Sequence, residues 1–123
     1  MDDLVQWLRA QLDDDERTAR AATPGPWKQS GIGEYGWGVS FSVPGTGVEA
    51  ADSDQGRPDA DHIARHDPTR VLREIDAKRR TLIRCEEALL SANPMLVHFA
   101  KQTAWEMAQP YADRPGYRDE WRP

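Results

Sequence analysis

Only one cysteine, Cys85, occurs in the 123 residues, so no disulfide can close within the chain and the redox compartment is left open. No apolar run approaches the roughly 20 residues that a bilayer-spanning helix needs. The acidic start, Asp2 and Asp3, lacks the positive region of a secretory signal, so a soluble cytoplasmic protein with no membrane role is expected. Positive charge is also short. Sixteen Lys and Arg face 21 Asp and Glu, for a net charge of −5. That balance argues against nucleic-acid binding by the whole molecule, though not against a local basic patch. Apolar residues make up only 38% and charged ones 30%, which implies a small core. Five tryptophans give that core large pieces. The length fits one domain, 1–123, that folds without disulfide or metal.

Residues 1–22 read as a helix. Asp2 and Asp3 place negative charge at its positive end, and Leu4, Trp7, Leu8 and Leu12 recur at helical spacing beside Val5. The acidic run Asp13 to Glu16 splays around the helix, so it is a solvated face and not a metal site. Asp13–Arg17 and Glu16–Arg20 are i,i+4 pairs in the better orientation. Thr23-Pro-Gly-Pro26 ends the helix.

Residues 23–58 change character. Trp27 to Gln29 and Val48 to Ala50 are short strand candidates. Trp37, Val39, Phe41 and Val43 alternate with small polar residues or glycine over 37–43, the period of a half-buried strand. Gly31-Ile-Gly-Glu-Tyr-Gly36 loosely matches a phosphate-binding glycine run, but no helix follows to supply aligned amides, so turns are the better explanation. Ala51 to Pro58 reads as a polar loop.

Residues 59–92 read as helical. Asp59 or Asp61 can cap a short helix through His66, and Asp67-Pro68 then restarts the helix with Asp at N-cap and Pro at N1. Val71, Leu72, Ile75, Leu82, Leu89 and Leu90 form an apolar stripe joined by Ile83, and Cys85 falls on it as a small core residue. This long helix is expected to reach about Ala92 and to pack on Trp37, Val39, Phe41 and Val43. His62 and His66, four apart, share one helix face and supply half of a zinc site, which Asp59, Asp61, Asp67, Cys85 or His98 would have to complete. No glutamate stands at the metalloprotease position between them, so packing or a helix-junction hydrogen bond is the plainer role. No cofactor is called for otherwise. The chain has no recognisable catalytic motif and leans away from an enzyme; were there a reaction, His66 with Asp67 or Glu74 would be its acid–base group.

Arg73, Lys78, Arg79, Arg80 and Arg84 make the helix basic and are the candidate nucleic-acid contacts, with Arg65 and Arg70 at its start. Glu74–Lys78, Asp76–Arg80 and Arg70–Glu74 are ready i,i+4 pairs, and no aromatic residue interleaves for base stacking, so a solvated, ion-paired helix is favoured and nucleic acid is disfavoured. Asn93-Pro94 repeats the cap-then-proline start and opens a helix over 93–109, with Leu96, Phe99, Ala100, Thr103, Ala104 and Met107 on one face. The tail, 110–123, is too rich in proline for a helix. Its Tyr111, Tyr117 and Trp121 either fold back on the core or, with Trp105, dock on a partner.

Asp2-Asp-Leu-Val5, His62-Ile-Ala-Arg-His-Asp-Pro68, Ala77-Lys-Arg-Arg80, Pro110-Tyr-Ala-Asp-Arg-Pro-Gly-Tyr117 and Glu120-Trp-Arg-Pro123 together resemble an uncharacterised actinobacterial family, frequent in Streptomyces. The layout of Arg20-Ala-Ala-Thr-Pro-Gly-Pro-Trp27, short strands and Asp59-Ala-Asp-His-Ile-Ala64 is more loosely similar to small actinobacteriophage proteins. The resemblance spans nearly the whole chain and implies no activity or catalytic residues. Relatives often carry a cysteine- or histidine-containing insert where this chain has a plain helix, which lowers the case for metal here.

The fold expected is α+β: an N-terminal helix, a small antiparallel sheet, a long central helix, a C-terminal helix and an extended tail. The function expected is a non-enzymatic binding or regulatory module that meets an unknown protein partner, with a homodimer among the options. Zinc binding or metal-dependent hydrolysis at His62 and His66, and nucleic-acid binding through the basic helix 65–84, are the alternatives.

Overall fold

The computed structural model describes residues 1–123. Its order is α1 (Asp2–Ala21), β1 (Lys28–Ile32), β2 (Gly36–Ser40), β3 (Gly47–Ala51), α2 (Gly56–Arg65), α3 (Pro68–Leu89) and α4 (Pro94–Ala108), followed by two single-turn 3-10 helices, Gln109–Tyr111 and Asp119–Trp121. The class is α+β, as the sequence predicts. The residues group into two units, one of Met1–Asp15 with Ile75–Pro123, the other of Glu16–Glu74.

In the second unit the sheet runs β1-β2-β3, antiparallel throughout. A register shift between Gln29 and Gly31 marks a bulge, where the Gly31 N–H donates to the Gln29 side chain at 2.7 Å. The alternation over 37–43 holds only in part. Val39 is buried at the centre, but β2 stops at Ser40; Phe41 lies beyond it and stacks on Trp27 with ring centres 4.0 Å apart, and Val43 is exposed in the turn.

The helix that covers the sheet is α2, which meets all three strands, and not the long α3. Gly56 explains why. Its N–H donates to the Ser53 backbone and hydroxyl oxygens, and a Cβ there would collide with the Ala51 carbonyl while standing 3.1 Å from Trp37 Cδ1. The missing side chain lets the helix begin against the end of β3, three residues before Asp59. Asp59 and Asp61 are therefore not caps: they lie inside α2, accepting from Gln55 and Gln29 side chains at 3.1 and 3.2 Å. Ala60, wholly buried, lies on the same helix.

Asp67 does act as the N-cap of α3. One of its oxygens accepts the Arg70 N–H at 2.9 Å and the other accepts the Trp27 N–H at 3.0 Å. A buried carboxylate thus fixes both the start of α3 and the entry to β1.

In the first unit the buried side chains come from α1 (Leu4, Val5, Leu8, Leu12), α3 (Ile75, Leu82, Cys85), α4 (Ala100, Ala104, Ala108) and the tail (Tyr111, Trp121). Arg9 pairs with Glu86, and Arg79 with Asp13 at 2.7 Å, so α1 and α3 are joined by ion pairs of opposite polarity. The helix α3 ends at Leu89, short of Ala92, and leaves Leu90 89% exposed. The Asn93 side chain then accepts the Met95 N–H at 3.0 Å and opens α4, as its sequence predicts.

Candidate functional site

The helix α4 is built the opposite way round from an ordinary surface helix. Its inward line is Ala100, Ala104 and Ala108, four apart, all buried. Three of its large apolar residues are outside, Met95 at 80%, Phe99 at 72% and Leu96 at 50% exposure, while Val97, Trp105 and Met107 are half-buried. The single face expected over 96–107 therefore splits, because small side chains take the inward positions where close approach is needed. Leu90, at the α3–α4 corner, adds to the exposed set. Burying one such side chain is worth roughly 1.5–3 kcal/mol, so the corner holds several kcal/mol of unused apolar surface.

Beside this corner lies an open groove of about 620 Å³. Leu89, Leu90, Val97, Trp105 and Trp121 form its apolar walls, with Lys101, Asp2 and Glu120 at the rim. Two of the four aromatic residues singled out for partner binding, Trp105 and Trp121, are thus brought together in its lining. The other two are placed elsewhere. Tyr111 is buried, and Tyr117 is half-buried, its hydroxyl accepting from Gln109 Nε2 at 2.9 Å.

The tail folds back around Trp7. Tyr111, Tyr117 and Trp121 surround that indole at centroid distances of 6.4, 5.8 and 5.3 Å, all tilted or edge-on. Trp7 Nε1 donates to the Pro115 carbonyl at 3.1 Å. Gly116, at φ +90°, would bring a Cβ within 2.6 Å of the same indole nitrogen. Arg114 binds Asp15 at 2.6 Å and lies over the Tyr111 ring. Trp121 is 6% exposed, so only its edge reaches the groove.

His62 and His66 are adjacent, with ring centres 4.2 Å apart and planes inclined by 31°. A carbonyl only accepts, so the 2.8 Å contact has His66 Nδ1 donating to the His62 oxygen, and Nε2 is the nitrogen left outward. Both rings are exposed in a dent of about 390 Å³ shared with Asp61, Arg65 and Arg70. No group of three or more His, Cys, Asp or Glu residues that could hold a metal ion is present. The acid–base pairing considered for His66 is not formed. Asp67 is taken up by the two backbone N–H groups above, and Glu74 pairs with Arg70 at 2.9 Å.

The basic residues of α3 differ in their commitments. Arg79 is held by Asp13, Arg80 by Asp76 at 2.9 Å, and Lys78 lies over the Tyr111 ring and donates to its hydroxyl at 3.3 Å instead of meeting Glu74. Arg73 and Arg84 are exposed without an ion pair. The glycine run at 31–36 is a hairpin turn: the Gly33 N–H donates to the Gly36 carbonyl at 2.7 Å, and the Tyr35 N–H donates to the Glu49 carboxylate at 2.8 Å. A carboxylate already sits where a phosphate would have to bind. Burial, with the Glu86 charge adding to it, pushes the Cys85 thiol up from its ordinary value, which suits the core role expected.

Sequence reasoning missed the outward apolar face of α4. Its signal was present, in three alanines four apart among larger apolar residues, but helical spacing alone does not say which side turns inward. Comparison with known proteins adds no activity: no curated protein and no solved structure matches the chain. One family model does match, over residues 1–123, and by it the chain belongs to a family of unknown function, DUF6221.

Proposed function

We propose that this protein is a non-enzymatic docking module whose contact surface is the α3–α4 corner, formed by Leu90, Met95, Leu96 and Phe99 and extended by the groove at Trp105. The observation that carries the reading is the inverted first half of the helix: Met95, Leu96 and Phe99 of α4 point to water while its alanines are buried. An apolar surface of this kind, edged by Lys101, Asp2 and Glu120, has the composition of an interface core with a polar rim. The setting suggested by the sequence resemblance, a small cytoplasmic protein of actinobacteria with phage-borne cousins, belongs to the same proposal. A second copy of the chain is the partner to test first. The mass of the untagged protein in solution, measured across the micromolar range, is expected to show a dimer that Leu96→Asp with Phe99→Asp returns to a monomer. A dimer unaffected by that pair of changes would move the interface elsewhere, and a wild-type monomer would direct the search to another protein.

A second reading, zinc held by His62 and His66, is supported by the outward Nε2 of His66 and needs two further ligands. Stoichiometric zinc in protein purified without chelator, lost in the His62→Ala, His66→Ala double variant, would establish it. A local nucleic-acid contact through Arg73, Arg84 and their neighbours is the third. Salt-dependent binding abolished by Arg79→Glu with Arg80→Glu is the corresponding test.

A further inference from the structure

We infer that the outer edge of β3 docks an extended cationic segment of another protein. The segment pairs antiparallel as a fourth strand and sets a Lys or Arg opposite Glu49. This surface lies on the second unit and is independent of the α3–α4 corner. The order β1-β2-β3 leaves the sheet two edges. The β1 edge carries devices that blunt strand addition, Lys28 and the bulge between Gln29 and Gly31. The β3 edge has neither. Gly47-Val-Glu-Ala-Ala51 pairs in regular register, holds no Lys or Pro, and is exposed except at Ala50. The Phe41 N–H donates to the Thr46 carbonyl at 3.1 Å, which fixes the alternation of the ladder. Val48 and Ala50 therefore bond β2, while the main-chain groups of Gly47 and Glu49 and the Ala51 N–H face outward. The Ala51 carbonyl is already used, by the Ser53 N–H at 3.0 Å.

Charge names the occupant. From Gln29 to Gly56 the chain holds four acids, Glu34, Glu49, Asp52 and Asp54, and no Lys, Arg or His. The flanking cations stand elsewhere, Lys28 on the opposite edge strand and Arg57 over the Trp37 ring at 5.5 Å. Glu49 is also held in place. One of its oxygens accepts the Tyr35 N–H at 2.8 Å, and the other lies where a Cβ on Gly33 would collide with it. Beneath it Ser30, Gly38 and Ser40 form the low floor of an open trough of about 680 Å³. A residue hydrogen-bonded to Glu49 across the new edge points its side chain to that same face. Lys and Arg have the length to cross the floor and the charge to meet the carboxylate. The neighbouring positions of the segment meet Val48, 44% exposed, and favour apolar residues. A second copy of the chain fits worse. Two β3 strands in full antiparallel overlap set Glu49 against Glu49, and like charges directly opposite destabilise a strand pair.

The probe is an end-blocked peptide, Ser-Thr-Val-Arg-Val-Thr-Ser, titrated into the isotope-labelled full chain. Resonance shifts centred on Gly47, Glu49 and Ala51 are expected, and exchange of the Glu49 N–H with solvent should slow. Glutamate in place of the peptide arginine should weaken binding roughly tenfold, and Glu49→Lys should reverse that preference. Glu49 is exposed, and an unchanged amide spectrum outside the sheet verifies the fold of the variant. Methylating the main-chain nitrogen of the peptide arginine removes the N–H that meets the Glu49 carbonyl. It should weaken binding at least roughly tenfold, while the same change on a neighbouring valine, whose N–H faces away, should alter it less than about twofold. Equal losses from the two methylations, or equal binding of the arginine and glutamate peptides, would overturn the inference. So would shifts centred elsewhere, or none at about 2 mM peptide. Slowing of Glu49 exchange with rising protein concentration and no peptide present would assign the edge to a second copy, and overturn it as well.

Discussion

Asp67 and Cys85 show how single side chains constrain this chain. Asp67 is 8% exposed, yet both of its oxygens are used, one on the first turn of α3 and one on the Trp27 N–H. Asp67→Ala removes a helix cap and leaves a part-buried N–H without an acceptor, which together should cost roughly 2–4 kcal/mol in urea unfolding. Asp67→Asn keeps one acceptor oxygen and should cost about half as much, because the side-chain amide can still serve one of the two donors. Equal losses would show that charge, and not hydrogen-bond acceptance, is what the site needs. Cys85 makes the converse case. Burial raises its thiol, so the folded state holds the proton more tightly than the unfolded chain does. The stabilisation this gives is complete below the unfolded value and is lost as pH rises through the folded one. Alkylation by iodoacetamide at about pH 8 should therefore run at least roughly tenfold slower than for the urea-unfolded chain. Equal rates would place the thiol outside the core.

At the scale of elements, the inversion of α4 makes opposite demands on its two sides. Ala104, wholly buried, has no room for a larger side chain, so Ala104→Leu should cost roughly 1–3 kcal/mol of stability. Phe99→Asp, on the exposed side, should change stability by no more than about 0.5 kcal/mol while removing the docking contact. A large loss from Phe99→Asp and none from Ala104→Leu would reverse the assignment of the two sides. The same helix shows what a sequence can and cannot disclose. The α1 stripe of Leu4, Val5, Leu8 and Leu12 and the Asp67-Pro68 and Asn93-Pro94 starts were legible, because spacing and caps are local signals. The start of α2 was hidden, since Gly56-Arg57-Pro58 reads as a loop until β3 is present to meet it. That α2 and not α3 covers the sheet depends on the same close approach. Which side of α4 faces inward depends on how near its neighbours come, a tertiary fact that the spacing of its alanines does not decide by itself.

For the molecule as a whole, the small apolar fraction is spent unevenly. The Trp7, Tyr111, Tyr117 and Trp121 cluster uses large aromatic rings to hold the tail, while Leu90, Met95, Leu96 and Phe99 remain in water. The tail's fold-back was one of two readings open from the sequence. Its aromatic residues ruled out a free end but could not name what they would cover. The His62–His66 pairing was visible from its spacing, whereas the occupied carboxylates around it were not. The net charge of −5 tempers self-association, so a dimer must draw on the apolar corner rather than on long-range attraction. The most direct test of the docking surface is a photo-crosslinking amino acid in place of Phe99, with the same group in place of Arg73, exposed on the other unit, as the control. In the cells that make the protein, the account predicts one dominant adduct from position 99, either twice the mass of the chain or of another protein, and none of comparable yield from position 73. No adduct from position 99, or equal adducts from both positions, would contradict it.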